Sequence, residues 1–343
     1  MNKTQVVSGT AFLSSDLSAE PVDIVIQDGI VTAIEENPRA PQVWICPAFF
    51  NAHTHLGDTI AMDCATTGDL EALVTPPSGL KHRLLAKASR EDLIAGMRAS
   101  IHDMIAGGTA GCADFREGGL DGVCALQEAA TGLAFQTVIF GRDGGESEAA
   151  GLGISSARDL PDVERWVTGA TAQGKKIAFH AGERDAGDID AALAFDPDLL
   201  IHMTYATKRQ LRSCAENGIP IAICPRSNWI LGATSSARHP PLKLMLDLGC
   251  TVFLGTDNVM FVPPDMFSEM AFVFSVYHLH PREILRAAVG GSALTGTPSF
   301  IKKDTRATLF TIDPARSGIR FSRDPLASIV KRTCAGVIGN NVF

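Results

Sequence analysis

A pair of histidines separated by one residue offers the first chemistry in this chain. His53 and His55 flank Thr54 at the end of an apolar run that begins near Trp44 and is typical of a β-strand. Side chains at positions i and i+2 of a strand point to the same face, so the two imidazoles project together. Neutral imidazoles in that arrangement can chelate zinc or ferrous iron. An incidental histidine pair is the commoner case, so the hypothesis needs further ligands from elsewhere in the chain.

Composition limits the kind of protein that such a site can serve. The 343 residues are 45% hydrophobic and 20% charged, which allows one large core and a small second domain. A net charge of −8 and 6% aromatic residues disfavour a nucleic-acid-binding surface. No apolar run predicts a membrane span, and the N-terminal residues do not resemble a signal peptide. The eight cysteines include no Cys-x-x-Cys pair, so we expect core thiols in a cytoplasmic protein.

The elements that must position the histidines alternate between strand and helix. From Pro47 onward, apolar β-branched runs alternate with Ala-rich segments, of which Arg90 to Ala106 has the clearest helical spacing of apolar residues. Eight such strands can be counted, and the one at Gly151 to Ser156 is the weakest. Strands interleaved with helices in this number predict an α/β fold, a parallel (β/α)8 TIM-type barrel.

The two chain ends are typical of a second, smaller β unit. A hairpin is predicted around the turn Gln27-Asp28-Gly29. Two later runs, residues 307–312 and 327–330, are interpreted as strands that return to this hairpin. We therefore predict a small β-sandwich domain made of residues 1–46 and 305–343, and a barrel made of residues 47–304.

Reactive groups in such barrels lie at the carboxyl ends of the strands. Metal-ligating side chains fall at four of the eight predicted ends, at strands one, five, six and eight: His53 with His55, His180, His202 and Asp257. Each of these could be a polar group that simply terminates a strand. Four of the nine histidines at strand ends, together with an aspartate, nevertheless favour one metal site with ligands from separate strands.

This set of motifs resembles the amidohydrolase superfamily along nearly the whole chain. His53-Thr54-His55 is similar to the strand-one metal pair of that family, and His180 to its strand-five ligand. His202 resembles the strand-six histidine, and Asp257 in Gly255-Thr256-Asp257-Asn258 resembles the strand-eight aspartate. The resemblance implies a metal held by His53, His55, His180 and Asp257. Strand four has no lysine of the kind that binuclear members carboxylate, so one divalent ion is expected, zinc first and Fe2+ as the alternative.

Two motifs are similar to the deaminase branch, which includes cytosine, guanine and S-adenosylhomocysteine deaminases and related chlorohydrolases. They are His180-Ala181-Gly182-Glu183 and Cys224-Pro225-Arg226-Ser227-Asn228. The resemblance implies that Glu183 protonates a ring nitrogen of the substrate and then the departing amine. It implies that His202 and Asp257 orient a metal-activated hydroxide and accept its proton. Without the resemblance, Glu183 beside Arg184 would be interpreted as a solvated carboxylate.

Substrate contacts are less constrained. Arg116, Arg142 and Arg226 follow strands two, three and seven, where a guanidinium could bind a carbonyl, carboxylate or phosphate, and a surface salt bridge is the alternative for each. The connection from Thr59 to Leu80 is either a lid or an irregular loop. We expect a small heterocyclic substrate, no nucleic-acid or membrane partner, and a possible homo-oligomer.

Three functions remain open at this point. The first is a hydrolytic deaminase of an amino-substituted nitrogen heterocycle such as a nucleobase, nucleoside or pterin. The second is a hydrolase of the same fold with another leaving group, a chlorohydrolase or a cyclic amidohydrolase, and Glu183 beside His180 disfavours cyclic amides. The third is a metal-binding protein without catalysis, which the full set of acid–base groups disfavours.

Overall fold

The computed structural model describes residues 4–64, 70–158 and 160–343. Its strands, in chain order, are β1 (Thr4–Leu13), β2 (Ser18–Gln27), β3 (Ile30–Glu36), β4 (Trp44–Pro47), β5 (Phe49–His55), β6 (Thr109–Arg116), β7 (Gln136–Gly141), β8 (Gly151–Ile154), β9 (Lys176–Ala181), β10 (Leu199–His202), β11 (Ile221–Ile223), β12 (Val252–Leu254), β13 (Asp257–Asn258), β14 (Leu309–Ile312) and β15 (Ile338–Val342).

The helices alternate with the strands through the middle of the chain. They are α1 (Leu70–Val74), α2 (Leu80–Leu85), α3 (Arg90–Ala106), α4 (Gly119–Ala130), α5 (Val163–Ala172), α6 (Ile189–Leu193), α7 (Lys208–Asn217), α8 (Pro225–Ile230), α9 (Leu242–Asp247), α10 (Met266–Tyr277), α11 (Pro281–Gly290) and α12 (Pro325–Arg332). None of the helices in the described ranges combines the length and apolar composition needed to cross a lipid bilayer.

A nine-stranded parallel sheet forms the barrel. Its strands follow the chain from β5 to β12, and β13 returns to pair with β5 through Asp257 opposite Thr54 and Asn258 opposite His55. The short β13 continues the line of β12, so the eighth strand closes the cylinder against the first. The predicted (β/α)8 barrel is confirmed, including the weak fourth strand, which is β8.

Six further strands form a second sheet from both chain ends, in the order β15-β14-β4-β1-β2-β3. The predicted hairpin joins β2 and β3, and its turn places Asp28 at φ 50° and Gly29 at φ 81°. Positive φ at both central residues is the geometry that twisted hairpins prefer. Both chain ends therefore contribute to a sheet separate from the barrel, as predicted.

Two details of the strand prediction were wrong. The apolar run from Trp44 to Ala52 is two strands, because the backbone changes partner at Ala48. The Ala48 amide donates to Thr308 of the terminal sheet, whereas the Phe49 amide donates to Gly108 of the barrel. Residues 327–330 are helical in α12, which Asp324 caps by accepting from the Ala327 amide at 3.0 Å. Buried Leu326, Ile329 and Val330 have helical spacing, and the returning strand is β15 instead.

Aromatic packing connects the two sheets. The ring of Phe49 at the start of β5 lies 5.0 Å, centroid to centroid, from both Phe267 on α10 and Phe310 on β14, in edge-on geometry. All three side chains are buried. Offset and edge-on aromatic pairs of this kind add packing energy beyond area burial. The strand that carries the histidine pair is therefore fixed at its base by the contact between the barrel and the terminal sheet.

Candidate active site

The carboxyl end of the barrel brings together the four predicted histidines and the aspartate. The Nε2 atoms of His53 and His55 lie 3.2 and 3.4 Å from the same oxygen of Asp257, Oδ1. The His53 ring lies 4.8 Å from that of His180 and 5.8 Å from that of His202. These side chains come from β5, β9, β10 and β13, so closure of the barrel is what assembles them.

The donor atoms of this cluster are suited to a divalent cation. Two groups of three residues each hold their ligand atoms within 4.8 Å of one another. The first is His53 with His55 and Asp257, and the second is His53 with His180 and His202. Among the described residues, His53 Nδ1 has no hydrogen-bond partner, and the contacts of Asp257 Oδ1 with the two Nε2 atoms lack hydrogen-bond geometry. Buried polar atoms left without partners are costly. Imidazole nitrogens and a carboxylate oxygen are a donor set that divalent zinc accepts.

Burial keeps His53, His55 and His180 neutral, which is the form in which imidazole coordinates a metal ion. It lowers the pKa of His53 from 6.5 to about 4 and that of His55 from 6.5 to about 3. Burial also holds the pKa of His180 well below its ordinary value. Imidazoles with such pKa values are neutral near pH 7, so each carries a lone pair for coordination.

Hydrogen bonds from the outer nitrogens orient the rings. His180 Nδ1 lies 3.0 Å from the carbonyl oxygen of Ile154, and His55 Nδ1 lies 3.1 Å from that of Phe115. A carbonyl oxygen only accepts, so these contacts require a proton on Nδ1 and leave the lone pair on Nε2. Ser227 Oγ donates to the second oxygen of Asp257, Oδ2, at 2.6 Å. This bond leaves Oδ1 directed at the histidines.

The loop before Asp257 holds the eighth strand tightly against the first. Asn51 Nδ2 donates to Thr256 Oγ1 at 2.7 Å, and the Thr256 amide donates back to Asn51 Oδ1 at 3.0 Å. A Cβ atom at Gly255 would lie 2.7 Å from the backbone nitrogen of His53. Glycine is therefore required at this position of the Gly-Thr-Asp-Asn motif, because only a residue without a side chain permits the close approach.

Glu183 lies beside the cluster. Its Oε1 atom is 3.7 Å from His202 Nε2, and its side chain is 21% exposed, toward the cavity described next. Burial raises the pKa of Glu183, although the nearby His202 opposes the shift. The preceding residue, Gly182, has φ 70°, and a Cβ there would lie 2.6 Å from Ile189. The turn after β9 therefore depends on glycine to deliver the carboxyl group to this position.

A small cavity of about 60 Å³ opens beside these side chains, and we call it the metal cavity. His55, His180, Glu183, His202 and Asp257 line its floor. Residues of the connection between β5 and α3 cover it: Leu70, Val74, Thr75, Pro76 and Lys81. The connection predicted at Thr59 to Leu80 thus shapes the site. Residues 65–69 of it lie outside the described residues, and its action as a lid stays a prediction.

The three predicted substrate arginines have different surroundings. Arg142 lines the metal cavity, and its guanidinium carbon lies 5.6 Å from the centre of the Phe115 ring. Arg116 is buried and engaged by two carboxylates, Asp114 at 3.3 Å and Glu117 at 2.6 Å. Arg226 is turned away from the metal cavity.

Glu269 receives the Arg226 side chain instead, with Arg226 Nε 2.6 Å from Glu269 Oε2. A further hydrogen bond joins Arg226 Nη2 to the carbonyl oxygen of Pro263 at 2.8 Å. These bonds occupy the guanidinium of Arg226, which does not line the metal cavity. Of the three arginines, the structure brings Arg142 alone to the metal cavity.

A buried charge network behind His55 was missed by sequence reasoning. Lys81 Nζ lies 3.0 Å from Asp58 Oδ2 and 2.9 Å from Glu117 Oε1, and the same Glu117 oxygen is 2.9 Å from His55 Nδ1. Burial alone would raise the pKa of Glu117, but Lys81, His55 and Arg116 outweigh it and hold that pKa well below its usual range. Glu117 follows the strand end at Arg116, so its position was a usable signal. Lys81 lies on a short helix and gave none.

Comparisons with known proteins indicate the family of this chain. Residues 146–312 match the family model described as adenosine deaminase. A putative aminohydrolase of Methanothermobacter thermautotrophicus is 34% identical, and the alignment covers 97% of this chain and 96% of the relative.

Solved structures share the fold. A zinc-bound adenosine deaminase from Xanthomonas campestris superposes with a TM-score of 0.80 at 16% identity, covering 96% of this chain and 90% of the other. A zinc complex of atrazine chlorohydrolase from Arthrobacter aurescens also gives 0.80, at 18% identity, covering 98% and 95%. These likenesses show the fold, and the relative that spans nearly the whole chain confirms the predicted resemblance. The chain belongs to the amidohydrolase family of metal-dependent hydrolases.

Proposed function

We propose that this protein is a hydrolytic deaminase that removes ammonia from an amino-substituted nitrogen heterocycle, such as a nucleobase, a nucleoside or a pterin. The observation that carries the proposal is the position of Glu183. Its carboxyl group shares one small cavity with the donor cluster and lies 3.7 Å from His202. A protonated carboxyl next to a metal site is what is needed to activate a ring and to expel an amine.

His53, His55, His180 and Asp257 are the proposed ligands of one divalent ion, zinc first and ferrous iron as the alternative. Supporting this are the unpartnered donor atoms of His53 and Asp257 and the outward Nδ1 hydrogen bonds of His55 and His180. When bound, the ion supplies a Lewis acid that makes a water molecule nucleophilic near neutral pH.

The protein's own groups manage the protons. Asp257 and His202 line the metal cavity. They take the proton that the attacking water loses as its oxygen bonds to the ring carbon. Glu183 gives its proton to the neighbouring ring nitrogen, which prepares the carbon for attack. The carboxylate then relays a proton to the amino group, the C–N bond breaks, and ammonia leaves. The sum is heterocyclic amine plus water giving carbonyl compound plus ammonia.

The raised pKa of Glu183 supports this role. Burial favours the neutral carboxylic acid, so the group holds a proton closer to neutral pH than a solvated glutamate does. His202 at 3.7 Å is placed to exchange that proton and to orient the carboxyl group.

The decisive assay measures ammonia. The protein is loaded with Zn2+ or with Fe2+ under anaerobic conditions and incubated with aminopurines, aminopyrimidines, their nucleosides and aminopterins. We expect ammonia from at least one class, and no ammonia when Glu183→Gln is used. Matched chloro-substituted heterocycles are assayed by ion chromatography. Chloride release without ammonia would support a chlorohydrolase instead, and a fully metal-loaded protein inert to every compound would contradict the proposal.

A further inference from the structure

A second and larger cavity adjoins the metal cavity. Its volume is about 580 Å³, and we call it the side cavity. Pro76, Arg142 and Ser155 line both cavities, so the two share a wall at the carboxyl ends of β7 and β8. The side cavity extends from there toward α3, α4 and α5.

The side cavity is far larger than the metal cavity. Sites for drug-sized ligands and cofactors commonly measure about 300–1,000 Å³. The metal cavity, at about 60 Å³, is far below that range and admits little beyond the reacting edge of a ring. The side cavity lies within the range. A heterocycle with its amino group at the metal ligands must therefore project the rest of its body elsewhere, and the side cavity is the adjoining space of sufficient size.

The lining of the side cavity is chiefly apolar. Apolar side chains of α2 to α5 contribute to it, including Leu85, Leu93, Met97, Ala125 and Trp166. The charged residues of the lining are Arg90, Arg116, Glu117, Asp121, Arg142 and Asp143. Arg116 pairs with Glu117 at 2.6 Å, and Arg90 pairs with Glu128 at 2.9 Å. The apolar part of this surface gains free energy by burying an apolar group.

Arg142 marks the boundary between the cavities. Its Nε atom is buried and has no hydrogen-bond partner among the described residues, while its Nη1 atom lies 3.7 Å from Glu117 Oε1. A buried guanidinium nitrogen without an acceptor is costly to maintain. An oxygen acceptor on the ligand, at the point where it passes from one cavity to the other, would complete its hydrogen bonding.

We propose that the substrate is a heterocyclic amine with a large, mainly apolar substituent, which occupies the side cavity and offers an oxygen acceptor to Arg142. The inference rests on the proposed deaminase function for its reaction, but the side cavity can be tested by binding alone. It excludes a free nucleobase as the preferred substrate, because that compound would leave the side cavity empty.

The first test uses the zinc-loaded wild-type protein. Each amine that releases ammonia is compared with its methyl, butyl and benzyl derivatives at every substitutable ring position. At one position we expect kcat/KM to rise by about fourfold for each buried methylene, from the usual transfer free energy. Flat or falling kcat/KM at every position would overturn the inference while leaving the deaminase function standing.

The second test fills the side cavity. Leu93→Trp adds bulk on α3, and Ala172→Trp, at an exposed position near the end of α5, is the matched control. We expect Leu93→Trp to lower the ratio of kcat/KM for the benzyl compound to that for the unsubstituted amine more than tenfold. The control keeps the wild-type ratio. An equal loss for both compounds would indicate misfolding of the site and would count against the inference.

A binding experiment separates the two proposals. Calorimetry with the benzyl-substituted amines needs no turnover. Binding that Leu93→Trp weakens more than tenfold, and Ala172→Trp does not, supports the side cavity even if no ammonia is ever released. Ammonia release together with binding that neither variant changes would retain the deaminase and reject the side cavity as a substrate site.

Discussion

The Oε1 atom of Glu117 lies 2.9 Å from the Nδ1 atom of His55. The carboxylate thus stands behind a proposed metal ligand, on the side away from the donor cluster, and Lys81 holds it there at 2.9 Å. A carboxylate behind a ligating imidazole fixes the ring and raises the basicity of the coordinating nitrogen.

Replacing Glu117 with glutamine should weaken metal binding. We expect the dissociation constant for Zn2+ to rise about 10- to 100-fold, the usual cost of removing an outer partner of a ligating histidine. Competition with a chromophoric chelator measures the constant directly. Glu128→Gln removes an exposed glutamate paired with Arg90 and serves as the control. Unchanged zinc affinity in Glu117→Gln would show that the carboxylate has no influence on the site.

Glu183→Gln should separate catalysis from stability. Loss of a positioned proton donor commonly costs about 10²- to 10⁴-fold in rate, while bound zinc per chain should stay at the wild-type value. Burial raises the pKa of Glu183, so its carboxyl group binds a proton more tightly in the folded state than in the unfolded state. Ionisation of Glu183 therefore destabilises the fold as pH rises past the pKa of the unfolded state. The variant should therefore melt at a higher temperature than wild type at pH 7.

Glu164→Gln on the exposed face of α5 is the matched control for that variant. It should change neither ammonia release nor the melting temperature. A Glu183→Gln protein that retains wild-type turnover would remove this residue from the mechanism.

Acid should destabilise the metal-free protein through the buried histidines. The pKa of His53 is about 4 and that of His55 about 3, against 6.5 in the unfolded chain. Below pH 6.5 these two histidines bind protons in the unfolded state but not in the folded state. The free energy of unfolding therefore falls as pH falls toward 4. At pH 5 each histidine lowers the free energy of unfolding by about 2 kcal/mol relative to neutral pH.

Urea denaturation in the presence of a chelator, between pH 7 and pH 5, measures this dependence. His53→Gln should flatten the slope, and His102→Gln on the exposed face of α3 should leave it as in wild type. A steep slope that survives His53→Gln would mean that other groups take up the protons.

Arg226→Met should destabilise the fold strongly, because it leaves the buried carboxylate of Glu269 without its ion-pair partner. Glu269 is fully buried, and its carboxylate accepts from both the side chain and the backbone amide of Arg226. Removing one partner of a buried ion pair costs about 3–5 kcal/mol. Chemical denaturation measures the loss. The double variant Arg226→Met with Glu269→Leu should recover much of it, and a double variant as unstable as the single one would indicate a packing defect instead.

The convergence of the candidate site residues could be predicted where sequence position determines geometry. His53, His55, His180, His202 and Asp257 all follow strand-like runs, and parallel strands present their carboxyl ends at one edge, so convergence followed from the fold. Arg226 also follows a strand, yet it starts a helix at once and turns to Glu269, a residue far away in the chain. No local pattern reports such a partner. The same is true of Lys81, whose burial depends on two carboxylates from other elements.

The strand prediction was wrong where local composition was ambiguous. Residues 327–330 are short and apolar, and neither length nor periodicity separates a buried strand from a buried helical turn at that size. The cap supplied by Asp324 and the proline after it were the signals for a helix. The break at Ala48 directly follows Pro47, and a proline disfavours a continuous central strand. Burial gave no further signal, because both halves of the run are buried and only their hydrogen-bond partners differ.

The pairing of Asp257 with Thr54 makes one segment responsible for two tasks. The same two-residue strand closes the barrel against β5 and presents the carboxylate to the histidines. Fraying of β13 would therefore open the barrel and withdraw a proposed metal ligand together. Metal uptake would then report whether the barrel is closed. A bound ion would stabilise the closed barrel over the frayed one, because it would bind the closed form more tightly.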